Sequence, residues 1–218
     1  MPVRTETPKL TPLARSLHAP PRQSPRTLFA LATQKWLRAE RLDLTQLAGE
    51  LGVARTTIFR WVGTREQLYG EVISAAYAEV SAEIVRTTTG RGLRRLSRIT
   101  QRTLSALVEA PALRAFLAQD PEFAIRVLTS KSSPVQARSV QREVALLQQV
   151  FREEGLRATL DLETLAFIIV RLGEAFLYAD VISGRKPEID KAVAAIRILV
   201  AGATRPMPAR AGRRKPAR

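Results

Sequence analysis

Cysteine is missing from all 218 residues, which removes disulfides, thiolate zinc sites, thiol nucleophiles and cysteine redox switches together. A reducing cytoplasm is the compartment such a chain is expected to occupy. Histidine is nearly missing too. The one histidine, His18, lies in a stretch broken by Pro8, Pro12, Pro20, Pro21 and Pro25, so a Ser-His triad or a histidine metal site has no members to draw on. No glycine-rich phosphate loop or paired acidic motif stands in their place. Catalysis is therefore not expected, and neither is a cofactor or a metal. Long apolar runs are also lacking. The most apolar stretch, Leu165 to Ile182, is interrupted by Arg171, Glu174 and Asp180, which are costly at a bilayer centre, and the N-terminus has no segment suited to a secretory signal. No membrane partner and no export are expected.

Acid is the next shortage, with 20 Asp and Glu against 35 Lys and Arg and a formal net charge of +15. The excess is densest in residues 203–218, which carry 6 basic and no acidic side chains. Lys and Arg release counterions condensed on phosphate backbones, so a polyanionic partner is one reading. A solvated basic surface with a sticky tail is the other. The hydrophobic share of 45% is that of an ordinary folded protein.

Periodicity divides the chain. Residues 1–24, rich in Pro, Arg, Ser and Thr, read as a flexible basic arm. From Thr27 to Ala39, Leu28, Leu31, Ala32 and Trp36 recur at helical spacing. A second helix starts at Asp43, an N-cap with Gln46 as its capping-box partner, and ends at Gly52. A third covers Arg55 to Val62. A fourth opens on a Thr64/Gln67 capping box and runs through Leu68, Val72, Ala76, Val80 and Ile84, roughly 34 Å at 1.5 Å per residue. Gly90 and Gly92 then mark a boundary, and further helices are expected near 92–109, 111–118, 121–129, 134–154, 161–184 and 188–202. No segment alternates with period two, so the fold class is all-α. Residues 25–88 are read as a helix-turn-helix DNA-binding domain, 91–202 as a helical bundle for effector binding and dimerisation, and 203–218 as a disordered basic tail.

The helix-turn-helix reading rests on residues 43–62. Such a motif needs a small residue where its helices cross, a glycine where the chain reverses, and apolar anchors on both helices. Ala48, Gly52, and the set Leu47, Leu51, Val53 and Ile58 supply them. With those anchors inward, the third helix presents Arg55, Thr56, Thr57, Phe59, Arg60 and Trp61 outward. Arg can bond guanine edges or phosphate, Thr can meet a thymine methyl, and aromatic rings pack on sugars, so these residues suit a major groove of double-stranded DNA. An amphipathic helical hairpin with no DNA role has the same short signature.

The pattern Leu47-Ala48-x-x-Leu51-Gly52-Val53-x-x-x-Thr57-Ile58-Phe59 resembles the centre of the TetR family of transcription regulators, and the resemblance spans about residues 27–72. It implies a one-component regulator, by family default a repressor. Such a protein binds palindromic operator DNA as a homodimer and leaves it when a small, mostly apolar effector fills the C-terminal domain. It also implies DNA contacts at Thr57, Phe59 and Arg60, and a phosphate contact at Arg65. Three positions depart from the family pattern: Ala54 replaces a Ser N-cap, Trp61-Val62 replaces an aromatic or His followed by Phe, and Phe59 lacks the hydroxyl of the usual Tyr. Val170 to Leu199 is similar to the QsdR-like subgroup, regulators of quorum-signal degradation genes, which implies a lactone-type signal.

In the C-terminal half the expected helix 161–184 is apolar nearly all round, with Leu165, Phe167, Ile168, Ile169, Leu172, Phe176 and Val181 on more than one face. A helix of that kind is buried on two sides. A partner subunit supplies the second side if this helix and helix 188–202, with Ala192, Val193, Ile196, Leu199 and Val200, form a four-helix dimer interface. A central core helix of a monomer is the alternative. A dimer also places two recognition helices about 34 Å apart, as a palindrome requires. Arg171, Glu174 and Tyr178 fall at i, i+3 and i+7, and are read either as polar contacts of an effector pocket walled by Phe116, Phe123 and Phe151, or as an internal Arg-Glu pair. A non-specific nucleic-acid-coating protein, driven by the arm and tail, is the competing function, and sequence-specific binding separates the two.

Overall fold

Ser24 opens the first helix. The structure, a computed structural model, describes Thr11 and residues 23–206. Within them α1 (Pro25–Leu37) begins on a reciprocal capping box, the Ser24 hydroxyl accepting from the Thr27 N–H and the Thr27 hydroxyl from the Ser24 N–H, with Pro25 in the first turn where no N–H is needed. The helix thus starts two residues before the apolar period does. In α2 (Leu44–Leu51) the Asp43 carboxylate accepts from the N–H groups of Thr45 and Gln46, both at 2.8 Å, but Gln46 returns no bond, so this cap is one-sided. Gly52 ends α2 at φ 63°, the left-handed region that glycine enters without strain. Then follow α3 (Arg55–Val62), whose Ala54 N-cap makes no side-chain bond, and α4 (Arg65–Thr87), which opens on the expected Thr64/Gln67 capping box.

The second half continues with α5 (Gly92–Glu109), α6 (Pro111–Gln119), α7 (Pro121–Thr129), α8 (Val135–Glu154), strand β1 (Leu156–Ala158), α9 (Leu162–Leu177), α10 (Ala179–Ser183), α11 (Ile189–Gly202) and strand β2 (Thr204–Pro206). The protein is all-α, a helix-turn-helix followed by a helical bundle, and none of the described helices is long and apolar enough to cross a membrane.

Three expectations need correction. The helix expected over 161–184 is two, because Tyr178 at φ −104° and ψ 17° breaks it while its ring is buried at 5% exposure. That kink follows from packing, and the apolar period runs through it unmarked. The chain from 203 onward was expected to lack structure, yet Ala203 is buried and Thr204–Pro206 pairs antiparallel with Leu156–Ala158, Arg157 opposite Arg205. Strands of three residues are too short to register as alternation. The rest of the tail, 207–218, and all of the arm except Thr11, Gln23 and Ser24, lie outside the described residues. Third, Ala192, Ile196 and Val200, expected at a subunit interface, are buried within this chain, while Phe167 at 48% and Ile198 at 70% exposure stand at the surface.

Two apolar cores form. One joins α8, α9 and α11 through Leu147, Leu165 and Ile196, with Leu96 of α5. The other crosses the boundary drawn at Gly90: Leu28, Trp36, Leu47, Ile58 and Tyr69 of α1 to α4 share it with Leu113, Phe116 and Phe123 of α6 and α7. Its centre is aromatic. Tyr69 stacks on Phe116 at 4.6 Å between ring centroids, Trp36 meets Phe116 edge-on at 5.5 Å, and Phe123 meets Tyr69 edge-on at 5.5 Å. Beside it the α4 backbone touches the turn before α8, where a Cβ on Gly70 would come 2.5 Å from Pro134 and 2.6 Å from Ser133.

The Tyr69 hydroxyl accepts the buried Leu42 N–H at 2.8 Å. Tyr69→Phe keeps the ring and orphans that N–H, so it is expected to cost about 1–3 kcal/mol. A urea midpoint unchanged from the parent protein would show that Leu42 finds another partner.

Candidate DNA-reading head and effector cavity

The α2–α3 turn is fixed from inside. Ile58 and Leu47 are buried at 0% exposure, and the Val53 N–H donates to the Ala48 carbonyl at 3.0 Å across the turn. These contacts turn the other faces of α3 outward. Arg55, Thr56 and Arg60 are exposed, Phe59 is 39% exposed with the Arg55 guanidinium 5.3 Å from its ring centroid, and Thr57 is half-buried beside them. The structure therefore brings five of the expected DNA-contacting residues onto one helix, with side chains that can donate to phosphate or to base edges.

Two others sit differently. Trp61 is half-buried against the first core and shares a crevice with Phe29 and Val62, because its position on α3 faces α1 rather than solvent. Arg65 is turned inward. Its Nε donates to the Leu42 carbonyl at 3.3 Å, and its guanidinium lies 4.2 Å from the Phe123 ring centroid and 5.3 Å from that of Tyr69. The first turn of α4 thereby holds Leu42 at both backbone polar groups, N–H by Tyr69 and C=O by Arg65. Arg65 serves the α1–α2 connection, and the phosphate contact implied for it competes with these bonds.

In the bundle, α4, α5, α8 and α9 enclose a cavity of about 530 Å³. Most of its wall is apolar, with Ile73, Ile99, Leu104 and Leu107 among the lining residues. Among the polar side chains that break that wall are Tyr77 of α4, Arg142 and Glu143 of α8, Glu174 of α9, and Tyr178 at the kink. Arg142 lies over the Tyr77 ring at 4.6 Å from its centroid. Neither Arg142 Nε and Nη2 nor Glu143 Oε1 has a hydrogen-bond partner, and all three atoms are buried. Burial pushes the Glu143 carboxyl up to about 7. It also pushes Glu174 up to about 7 against the pull of Arg171, whose Nη1 is 2.9 Å from Glu174 Oε2. Burial, then the Glu143 charge, raises Tyr77 to about 12, and desolvation lowers Arg142.

Of the residues expected in this pocket, Glu174 and Tyr178 line it. Arg171 does not: its side chain is 45% exposed, where it pairs with Glu174 and donates weakly to the Thr129 carbonyl at 3.4 Å. Phe116 and Phe123 are committed to the aromatic centre of the first core, and Phe151 to the second, so none of the three forms the cavity wall. Sequence reasoning missed Tyr77, Arg142 and Glu143. For Glu143 a signal existed, since it continues the inward stripe of Val140, Val144, Leu147 and Phe151 on α8, where a carboxylate is out of place unless used.

The two raised carboxyls have a consequence for stability. A carboxyl whose folded value is raised favours the native state while protonated, so the contribution is present below the ordinary value near 4.5 and is lost as pH climbs from there through about 7. The melting temperature is expected to fall between pH 5 and 8. Glu143→Gln, neutral throughout, is expected to flatten that fall and to melt above the parent at pH 8. A variant with the parent's pH profile would show that Glu143 is solvated rather than buried.

A family model described as "Tetracyclin repressor-like, C-terminal domain" matches residues 91–201. Among solved structures, one described as the R. erythropolis transcriptional repressor QsdR from the TetR family is 26% identical, over 85% of this chain and 96% of its own, with a TM-score of 0.76. The TetR family repressor AlkX from Dietzia sp. is 18% identical over 84% of this chain and 99% of its own, with a TM-score of 0.58, and is similar in fold. No curated protein sequence matches. The family's C-terminal domain thus accounts for half of the chain, behind a helix-turn-helix built from α2 and α3, and the protein belongs to the TetR family of transcriptional regulators.

Proposed function

We propose that the protein binds palindromic operator DNA as a homodimer, represses from it, and releases it when a lipophilic small molecule fills the cavity between α4, α5, α8 and α9. The observation that carries this reading is the double membership of α4. Its first turns, with Leu68, Tyr69 and Gly70, belong to the core that holds the reading head, and its later turns, from Ile73 through Tyr77, Ala78 and Ser81, wall the cavity. A ligand that prefers one placement of the later turns biases the first turns as well, which is what coupling between two sites requires. Glu71 pairs with Arg138 at 2.7 Å between the two groups of turns, tying α4 to α8.

Base and phosphate contacts fall to Arg55, Thr56, Thr57, Phe59 and Arg60 of α3. Repression is carried over from the R. erythropolis relative, which is described as a transcriptional repressor. The dimer reading draws on α9 and α11, which pack together and expose Phe167 and Ile198. Large apolar side chains left at a surface on adjoining helices fit an isologous contact with a second copy. The site of action is the cytoplasm, on the nucleoid when DNA is bound, and the work is binding rather than catalysis.

Fluorescence anisotropy on duplexes from the protein's own upstream region, with excess random DNA, tests the reading. Saturable binding that survives the competitor is expected, and Arg60→Ala is expected to weaken it by about 1–3 kcal/mol on that site while changing random-duplex binding far less. Binding that the competitor removes would overturn it in favour of a non-specific coating protein. Ile198→Glu puts a charge on the dimer face, and sedimentation is expected to show a shift toward monomer together with weaker operator binding. A dimer that tolerates this change would move the interface away from α11.

A further inference from the structure

We propose that the ligand of the bundle cavity is an uncharged single-chain amphiphile whose head both donates and accepts hydrogen bonds, its donor on Glu143 and its acceptor on Arg142. This assigns the chemistry of the cavity read above as the effector site, and rests on that reading only for what the ligand does to DNA.

Consecutive residues on a helix point about 100° apart, so Arg142 and Glu143 do not face each other, and no ion pair joins them among the described residues. Both nevertheless line the same cavity, and both border Tyr77, whose ring lies under the guanidinium and whose hydroxyl responds to the Glu143 charge. Two unlike charges therefore flank one place without neutralising each other. Each retains buried atoms that lack a hydrogen bond: Nε and Nη2 of Arg142, and Oε1 of Glu143. Buried groups left in this condition cost free energy that a ligand recovers by pairing with them.

The pairing rules decide the ligand's charge. An ammonium group set against Glu143 meets the Arg142 guanidinium as a like charge, and a carboxylate set against Arg142 meets Glu143 in the same way. Glu174 and Arg86, which also line the cavity, add no free charge to this balance, because Arg171 holds the first at 2.9 Å and Glu83 the second at 2.6 Å. A neutral group with a carbonyl and an N–H or O–H satisfies both sides at once and sets no like charges together. The hydroxyls of Tyr77 and Tyr178, which make no hydrogen bond to any described residue, can each donate to the same carbonyl or accept from the same N–H. Beyond this polar end the wall is mostly aliphatic, from Ile73 and Ile99 to Leu104 and Leu107 with Thr100 and Thr103 among them, and a cavity of about 530 Å³ holds a hydrocarbon chain. Glu143 carries no partner from the protein, in keeping with burial having pushed its carboxyl up to about 7.

Four eight-carbon probes separate the alternatives: octanamide, with donor and acceptor; methyl octanoate, with acceptor only; octanoate, an anion; and octylamine, a cation. Calorimetric titration of the full-length protein at pH 7.5 is expected to give octanamide an affinity about tenfold above each of the other three, the size of one charge-assisted hydrogen bond. Glu143→Leu is expected to erase the preference for amide over ester while leaving the ester's affinity within about twofold, and Arg142→Met to weaken both, since one removes only the acceptor and the other the donor that both probes use. Circular dichroism confirms the fold of each variant, and Glu143→Gln, which keeps an acceptor oxygen in place, is expected to retain most of the amide affinity. Octanoate or octylamine binding as tightly as octanamide overturns the proposal, and so does equal binding of all four. Operator release is read separately by anisotropy on the same samples: octanamide that binds with the expected preference yet leaves the DNA complex intact upholds the ligand assignment and sinks the effector reading.

Discussion

Four aromatic rings hold this protein in one piece. Trp36 comes from α1, Tyr69 from α4, Phe116 from α6 and Phe123 from α7, and five of their mutual contacts lie between 4.6 and 6.3 Å. Stacked and edge-on pairs of this kind add about 0.5–1.5 kcal/mol each beyond the area they bury. Their more important property is placement, since two of the rings belong to the helix-turn-helix unit and two to the bundle. Arg65 closes the cluster with its guanidinium over Phe123 while reaching the Leu42 carbonyl, so the position of the α1–α2 connection, and through it of α2 and α3, is referred to a helix of the bundle. Polar contacts reinforce the same seam at its edges, where Glu71 meets Arg138 and Glu66 meets Arg126 at 3.6 Å, but these are exposed and worth little each.

The bundle follows a different economy of contacts. Its aliphatic core of α8, α9 and α11 is closed with small and branched side chains such as Ala166, Ala192 and Val200, all nearly or wholly buried. Against that dry region the cavity is unusual in holding charge. A carboxylate and a guanidinium there keep buried atoms without hydrogen-bond partners, which costs free energy. That cost falls where α4, whose first turns belong to the aromatic core, runs along the cavity wall.

How much of this was legible beforehand depended on whether a feature is local. Capping boxes, glycine stops and apolar periods are local, and they located α1 to α4 and the order of the later helices. The Thr64/Gln67 box was read correctly residue for residue. The kink at Tyr178 and the ribbon of 156–158 with 204–206 were not visible, because each arises from contacts between distant parts of the chain. The pocket shows the same divide. Phe116, Phe123 and Phe151 have the right composition for a lipophilic wall, and composition alone does not say which side of a helix meets a cavity and which meets a neighbouring helix. Glu174 and Tyr178 were found because polar groups in an apolar helix are conspicuous. Glu143 obeyed the same rule on α8, where the high charge of the surrounding sequence concealed it.

The seam between reading head and bundle also bears on how such proteins can be recombined. Exchanging heads between related regulators is attractive because the surface proposed to contact DNA is a single short helix. Here the head's hydrophobic underside is completed by Phe116 and Phe123, which lie beyond the apparent boundary at Gly90, and its α4 carries part of the cavity wall. A chimera cut at residue 90 inherits half of an aromatic cluster from each parent. The unit that can be transplanted intact is therefore larger than the motif, extending through α7 to Thr129, and it carries a portion of the cavity wall with it.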